Sequence, residues 1–395
     1  FLINALAKPK KSSEHYDKVV GAYVSLYIDY KDISGALKLA KMYIKEEGWK
    51  LIEIEEEYFT LDSINDVDED QKELYEDEAL FEQIISLLVS AHYQTSPSDI
   101  RLILDHPQIK IVIAHAPISK VSNSKRVYGV CLSIKEGAIA STDLANDIIS
   151  GKRRPRGQLF PQALCASSAN EDFLVQSTYR VMRIAVHPSL QQTGIGSSLL
   201  SALSKNAQEH NIDSLSTSYG LSPELLCFWQ KNLFQAVKLG TKVDGASGLR
   251  SIMMMHAISS PAQQLLKASS QEFLKSFIFN LNRLHAELST NIVALVIQSS
   301  PASPSKLVID EKKIQAFATA SRPFEETNLE LFKWLIDAIP SAKWHELCEG
   351  QKELLISQIL QNRDYKTCLK HSILTGKKQL LTALRSAVKA LFAAE

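Results

Sequence analysis

Apolar and polar positions along the chain change period several times, and each change predicts an element. VVGAYVSLYIDY (19–30) is rich in β-branched and aromatic residues and predicts a strand. ALKLAKMYIKEEG (36–48) repeats apolar residues at helical spacing and stops at Gly48, and WKLIEIEEEYF (49–59) alternates like a strand. Residues 1–78 therefore read as a small α/β module ending in an acidic run, DSINDVDEDQKELYEDE (62–78). From Asp66, the spacing of Asp66, Asp68, Asp70 and Asp77 imitates a calcium loop, but Gln71 stands where the sharp turn needs glycine. The run reads as a solvated linker, and no metal site is expected.

Beyond residue 78 the texture changes. EALFEQIISLLVSAH (78–92) predicts a helix, and TSPSDIRLILDH (95–106) a second one with Ser96 at its cap and Pro97 in its first turn. IKIVIAHA (109–116) and RVYGVCLSI (126–134) predict a hairpin. There follow a strand over VMRIAV (181–186), a helix over GIGSSLLSALSKNAQEH (194–210) and a strand over DSLSTSY (213–219). SPELLCFWQKN (222–232) then reads as a helix capped by Ser222, and FQAVKLG (234–240) with LRSIMMMHAI (249–258) as two more strands. Such alternation after an initial hairpin predicts an α/β fold, a mixed sheet flanked by helices. From 259 the 3.6-residue period dominates, as in PAQQLLKASSQEFLKSFIFNLNRLH (261–285) and KKQLLTALRSAVKALFAA (377–394). The expected organisation is a module over 1–78, a mixed α/β domain over 79–258 and a helical tail over 259–395.

Composition narrows the class. The chain has 395 residues, of which 45% are hydrophobic and 22% charged, as in globular domains. No run approaches the roughly 18 apolar residues of a membrane helix, so no membrane partner is expected. The five cysteines are scattered and form no C-x-x-C pair, which fits a reducing cytoplasm and argues against a disulfide framework or a zinc site. The opening at Phe1 reads as a fragment or a processed product. A net charge of zero hides an asymmetry: residues 1–85 hold 10 lysines and no arginine against 20 acidic residues, and the rest holds 34 basic and 24 acidic. A basic body suits a polyanionic partner.

RIAVHPSLQQTGIGSSLL (183–200) places Gly194 and Gly196 where a helix must begin. Glycine there costs about 1 kcal/mol relative to alanine, so the backbone must turn tightly or lie close to something. N–H groups at a helix start are unsatisfied by the helix and suit a pyrophosphate. Neither a P-loop nor a three-glycine Rossmann loop occurs. Q-x-x-G-x-G after a strand resembles the acetyl-coenzyme A loop of the GNAT acetyltransferases. KRRPRG (152–157) puts Lys152, Arg153, Arg154 and Arg156 on a proline-stiffened loop suited to phosphates. Phe228 and Trp229 could stack a base, although at helical spacing they suit a core. Cys227 reads as a small buried hydrophobe.

Four segments carry a wider resemblance: AHYQTSPSDIRLILDHP (91–107), KRRPRGQLFPQAL (152–164), RIAVHPSLQQTGIGSSLL, and YGLSPELLCFWQKNLFQAVKLG (219–240) followed by DGASG. In this order and spacing they resemble the tRNA(Met) cytidine acetyltransferase family, which makes N4-acetylcytidine at the wobble position from acetyl-coenzyme A and ATP. YKTCLKHSILTGKKQLLTALRSAVKALF (365–392) resembles its tRNA-binding tail, so the likeness covers about 79–395. It implies a GNAT-type sheet and direct attack of the cytosine amine of an elongator tRNA(Met) on acetyl-coenzyme A.

The resemblance assigns coenzyme binding to Ile184, Ala185 and Val186, to Gln191, Gln192, Thr193, Gly194, Ile195, Gly196 and Ser197, and to Glu224 and Lys231. Lys231 departs mildly, since relatives can carry arginine there. The Val186 N–H is a candidate oxyanion donor, and His92, Tyr93 and Glu224 are candidates for proton removal or substrate positioning. Lys152, Arg153, Arg154, Arg156, Lys377 and Lys378 are expected on RNA. Full-length members begin with a helicase-like ATP-binding module, and the first 78 residues do not resemble it; a separate ATP-binding chain could supply that step. Two other readings stay open on sequence: an acetyltransferase for a protein or small-molecule amine, and a non-catalytic RNA-binding remnant.

Overall fold

A computed structural model describes residues 2–11, 22–27, 33–46, 48–54, 78–90, 106–116, 126–245, 247–299, 308–369 and 376–392. These fall into two compact units, 1–78 and 79–395. His92, Tyr93, the helix expected over 95–106 and the acidic run lie outside the described residues.

In the first unit, β1 (Leu2–Pro9), β2 (Ala22–Tyr27), α1 (Ile33–Glu46) and β3 (Trp49–Ile54) follow in chain order. The sheet is antiparallel with β1 in the centre. Its central strand, LINALAKP, is absent from the reading by period, because its alternation is weak and it ends in proline. Ala36, Ala40 and Ile44, four residues apart, bury one face of α1, with Ile44 and Ala7 packed beside Trp49 and Leu51.

The second unit opens with α2 (Glu78–Ser90), then β4 (Ile109–His115), β5 (Val127–Gly137), α3 (Thr142–Ile149), α4 (Leu159–Ser168) and α5 (Asp172–Val175). Next come β6 (Ser177–Val186), α6 (Ile195–Glu209), β7 (Ser214–Gly220), α7 (Pro223–Lys231), β8 (Gln235–Val243) and β9 (Arg250–Ala257). The six strands lie in the order β4-β5-β6-β7-β9-β8, with β6 and β7 parallel and the other neighbours antiparallel. This is the mixed α/β sheet the alternation predicts. Helices cover both faces, as the parity of adjacent residues demonstrates: Ala236 and Met254 join the core beneath α6 and α7, whereas Val237 and Met255 join the core beneath α3, α4 and α8.

The remainder is helical: α8 (Ser260–Phe279), α9 (Thr290–Gln298), α10 (Glu311–Ala318), α11 (Asn328–Ala338), α12 (Ala342–Glu346), α13 (Glu349–Leu355), a π-helical turn (Ile356–Leu360), α14 (Tyr365–Leu369) and α15 (Lys377–Phe392). One apolar cluster runs from Leu215 and Leu226 into Val293, Leu335 and Leu384, so these helices share the sheet's core. No described helix is long and apolar enough to cross a membrane.

Three polar knots fix the frame. Asp213 accepts from the Ser177 N–H and hydroxyl, both at 2.9 Å, and from the Ser259 hydroxyl at 2.8 Å, tying the starts of β6, β7 and α8 together. Burial alone would raise its carboxyl; these donors more than offset that and hold it below the usual carboxylate range. Glu136, 1% exposed, takes Arg180 Nε at 2.7 Å and the Phe160 N–H at 2.9 Å. Arg250 Nη1 lies 3.3 Å from His285 Nδ1, joining β9 to the tail.

Candidate functional site

β6 and β7 start as a parallel pair and then part. Their ladder runs from Thr178↔Ser214 to Val181↔Thr217, yet β6 continues to Val186 and β7 to Gly220. The cause lies on the other edge of β6. Its register against β5 shifts between Leu132↔Arg183 and Ser133↔Val181, so Met182 is an extra, bulged residue. A bulge bends its strand and increases its twist. Beyond it β6 follows β5 while β7 stays paired with β9 through Gly220, and a gap opens between them.

The pairing also decides which backbone groups face that gap. The His187 N–H donates to Tyr128 O at 2.9 Å, so these two form a hydrogen-bonded pair of the antiparallel ladder. Successive pairs alternate. Val186, opposite Gly129, therefore turns its N–H away from β5 and into the gap, as does Ile184 two residues earlier. Val186 O accepts from Gln191 Nε2 at 3.4 Å, which folds the following loop over the strand end.

That loop is a chain of tight turns. Pro188–Leu190 form a 3-10 turn, Thr193 Oγ1 donates to Leu190 O at 2.6 Å, and Gln192 and Gly194 have φ of 63° and 94°. The first bond of α6 runs from the Ser198 N–H to Gly194 O, and no side chain caps the helix. The N–H groups of Ile195, Gly196 and Ser197 thus precede the intrahelical ladder at the positive end of the dipole. The two glycines have different causes. Gly194 supplies the left-handed turn and has nothing within 4 Å of an added Cβ, whereas such a Cβ on Gly196 would meet the Phe228 ring at 3.1 Å and Val186 Cγ2 at 3.9 Å. Among the described residues, the close approach at residue 196 is to an aromatic ring.

Ser222 Oγ accepts the Leu225 N–H at 3.3 Å and Pro223 opens α7, as their order predicts. Glu224, Phe228 and Lys231 share one stripe of the helix by their spacing; Glu224 and Lys231 are exposed at its first and last turns. Trp229 is buried against Tyr219 and Phe234, so it serves the core. Cys227 is half-buried rather than buried. Ala185 is buried, and Ile184, Val186, Ile195, Tyr219 and Phe228 are half-buried residues that pack against the same core.

Two concavities border these elements. A cleft of about 340 Å3 between α6 and the end of α7 is lined by Ser197, Lys205, Lys231, Leu233 and His256, among others. A wider one of about 800 Å3 lies between α2 and the β6–α6 loop, where Gln83, Tyr128, His187 and Ile195 line it.

The KRRPRG loop joins α3 to α4. The N–H groups of Lys152 and Arg153 donate to Asp147 O at 2.9 and 3.2 Å, and Lys152, Arg153, Arg154 and Arg156 are exposed. Since α3 and α4 cover the face opposite α6, this loop and the Gln191–Ser197 loop belong to different layers. Lys377 and Lys378 are exposed at the start of α15, with Lys377 3.8 Å from Glu325.

The family model for GNAT acetyltransferase 2 matches residues 83–209, from α2 through α6. A tRNA(Met) cytidine acetyltransferase of Vibrio cholerae serotype O1 is 33% identical over 321 residues, 81% of this chain and 42% of that protein. Another, from Nitrosococcus halophilus, is 30% identical over 82% of this chain and 42% of its own. The chain is a relative of the tRNA(Met) cytidine acetyltransferases. It spans less than half the length of these two relatives. Among solved structures, the ribosomal-protein-S18-alanine N-acetyltransferase of Escherichia coli has 11% identity and a TM-score of 0.30, covering 46% of this chain and 90% of its own.

Several residues at the site escaped the reading by period and motif. Tyr219 ends β7 at the gap and donates to Met254 Sδ at 3.0 Å; burial, and to a lesser extent Cys227, push its hydroxyl far above the usual phenol range. Lys205, Leu233 and His256 lie in α6, the α7–β8 turn and β9, and no local motif joins them. Cys131, on β5 opposite Ile184, is held as a thiol by burial, its pKa pushed up to about 12.

Proposed function

We propose that the chain is the acetyl-transferring part of an RNA cytidine N4-acetyltransferase, using acetyl-coenzyme A to modify the wobble cytidine of tRNA(Met). The observation that carries the reading is the bulge-driven parting of β6 and β7, which aims the Val186 N–H into a gap beside an uncapped helix start. The donor set fits the coenzyme. Main-chain N–H groups of Ile195, Gly196 and Ser197 suit a pyrophosphate, and the apolar walls of Ile184, Val186 and Phe228 suit an acyl arm. Lys231 at the far end of α7 adds a cation.

When bound, the coenzyme supplies an acetyl group activated as a thioester. The chain's own work is positional and electrostatic. An N–H fixed at the strand end donates to a carbonyl oxygen lodged in the gap, where little water competes. The cytosine amine is a weak nucleophile, so it must be held in line and lose a proton during attack. His92 and Tyr93 are the candidates for that proton, with Glu224 at the first turn of α7 as an alternative acceptor. The exposed KRRPRG loop and the start of α15, with Lys377 and Lys378, supply cations for the tRNA backbone.

Mass spectrometry of nucleosides from tRNA incubated with protein and acetyl-coenzyme A is the direct test. N4-acetylcytidine is expected, and parallel reactions with ATP and a helicase-like chain reveal whether remodelling comes from elsewhere. Acetylation of small amines but not of RNA under every condition overturns the RNA reading.

A further inference from the structure

We propose that the turn between α8 and α9 is a stacking platform for RNA, on which Phe279 and Arg283 hold a base next in sequence to the target cytidine. The proposal rests on RNA being the acceptor at this site, and it names residues that no motif singles out.

The turn, residues 280–289, is fixed from within. Its inner residues Leu281 and His285 are buried. The His285 ring stacks on Phe277 at 5.2 Å and meets Arg250 of β9 at 3.3 Å. From the tail, Gln361 Nε2 donates to His285 O at 3.1 Å and to Leu288 O at 2.7 Å. Arg363 adds Nε to Ala286 O at 2.7 Å and Nη2 to Leu288 O at 2.6 Å. Irregular backbone so braced presents its outer side chains in one place.

That outer side is apolar and aromatic. Phe279 is 69% exposed and Leu284 51%. A single exposed apolar residue is ordinary, but these two have company. Through the Arg250–His285 contact they adjoin the β8–β9 hairpin, where Leu249 and Val243, the register partner of Arg250, are exposed as well. A Cβ built on Gly220 would meet Leu249 Cδ1 at 3.2 Å, so the hairpin lies against the end of β7, one lip of the gap. Exposed apolar side chains thus lead from that lip to Phe279.

Charge selects the occupant. Lys275, one helical turn before Phe279, is exposed, as are Arg283 and Lys242, and none of the three has an ion-pair partner among the described residues. Asp244 of the hairpin accepts from the Ser247 N–H and hydroxyl at 2.8 and 2.9 Å, so its carboxylate is engaged locally. Glu287 is the exposed carboxylate of the turn itself. Lysine is depleted at protein interfaces, whereas a ring flanked by cations suits an unpaired base and its phosphates. An RNA strand with its cytidine in the gap runs on over the lip, and Phe279 offers the next base a ring.

Fluorescence titration with an anticodon stem-loop RNA tests the platform. Separate hairpins carry 2-aminopurine on the 5′ or the 3′ side of the target cytidine. Binding to wild type should change the emission of one of them. Phe279→Ala should abolish that change and weaken affinity by about tenfold, the range of one base on one ring. Phe279→Trp should keep both, and Phe279→Leu, apolar but without a ring, should not. Arg283→Ala should weaken binding and lower its salt slope, whereas Glu287→Gln should bind at least as tightly as wild type. Calorimetry should find acetyl-coenzyme A affinity unchanged in every variant, and circular dichroism establishes that each is folded. Wild-type RNA affinity in folded Phe279→Ala overturns this proposal alone, as does equal binding by the leucine and tryptophan variants or silence of both probes on bound wild type. Intact RNA binding with an altered oligomeric state in Phe279→Ala would assign the face to a protein instead. Wild type that neither binds the hairpin nor acetylates RNA overturns the acceptor reading as well.

Discussion

Phe228 occupies the space that a side chain at residue 196 would need. A Cβ built there lies 3.1 Å from Phe228 Cε2 and 3.2 Å from Cζ, tighter than ordinary contact. Gly196→Ala should therefore displace the ring and the start of α6, weakening acetyl-coenzyme A binding by about tenfold. Trimming the ring in Gly196→Ala, Phe228→Leu should recover most of the loss. Calorimetry on both variants checks this; no recovery in the pair would mean that the added methyl meets the ligand instead.

Gly194 and Leu233 make a complementary pair. Both have positive φ, but one is glycine and the other is not. Gly194→Ala should lose about 1–2 kcal/mol of stability, the cost of a left-handed residue, whereas Leu233→Gly should gain roughly 1 kcal/mol. Denaturant titrations measure both, and a destabilised Leu233→Gly would show that the leucine packs rather than waits.

Glu136 is a buried carboxylate with two partners, Arg180 and the Phe160 N–H. Removing it in Glu136→Ala leaves a charge and a donor uncompensated, for a loss of about 3–5 kcal/mol. Chemical denaturation of the variant is the measurement. A loss under 1 kcal/mol would mean that water replaces the carboxylate.

Stability should also depend on pH through His285. Burial, then the Arg250 charge, lower its pKa below the ordinary value of 6.5. The unfolded chain therefore binds the proton more readily. This contribution is present above about pH 6.5 and is lost as pH falls through the folded pKa. His285→Gln should flatten part of that decline. His256, shifted in the same direction by burial, retains the rest. Melting temperatures of both proteins between pH 8 and 5 decide it, and parallel curves exclude His285 as a source.

The KRRPRG loop carries the RNA prediction. Changing Arg153, Arg154 and Arg156 to alanine should weaken tRNA binding and reduce its salt slope by about 0.7–0.9 per lost contact. Affinity for acetyl-coenzyme A should hold, because the loop lies on the other face of the sheet from α6. An unchanged slope would leave the loop as ordinary surface.

Much of the site's frame was legible because its signals are local. The VMRIAV half of β6, the glycine-opened α6 and the Ser222–Pro223 start of α7 each lie within a few consecutive residues and form where their patterns indicate, although β6 begins four residues earlier, at Ser177. The cause of Gly196 was not legible, since its neighbour Phe228 lies 32 positions away. Nor was the cleft between α6 and the end of α7. Lys205, Leu233 and His256 are brought together by the β7-β9-β8 order, a property of pairing that no window on the sequence contains. Weak alternation hid β1 for a different reason: its sheet is three strands wide, and the small Ala7 packs beside Ile44 of α1 without a strong apolar signal.

The bulge at Met182 gives the Val186 N–H its direction, and a main-chain donor has no codon. Alanine scanning across β6 would pass over it, because every amino acid except proline carries the same N–H. Two interventions reach it: an amide-to-ester replacement at residue 186, which deletes one proton and keeps the side chain, and a single-residue deletion within 177–182, which reverses the parity of every group beyond it. Drift in side-chain identity along this strand therefore leaves the donor untouched, while a one-residue frame slip in the pairing would remove it at a stroke.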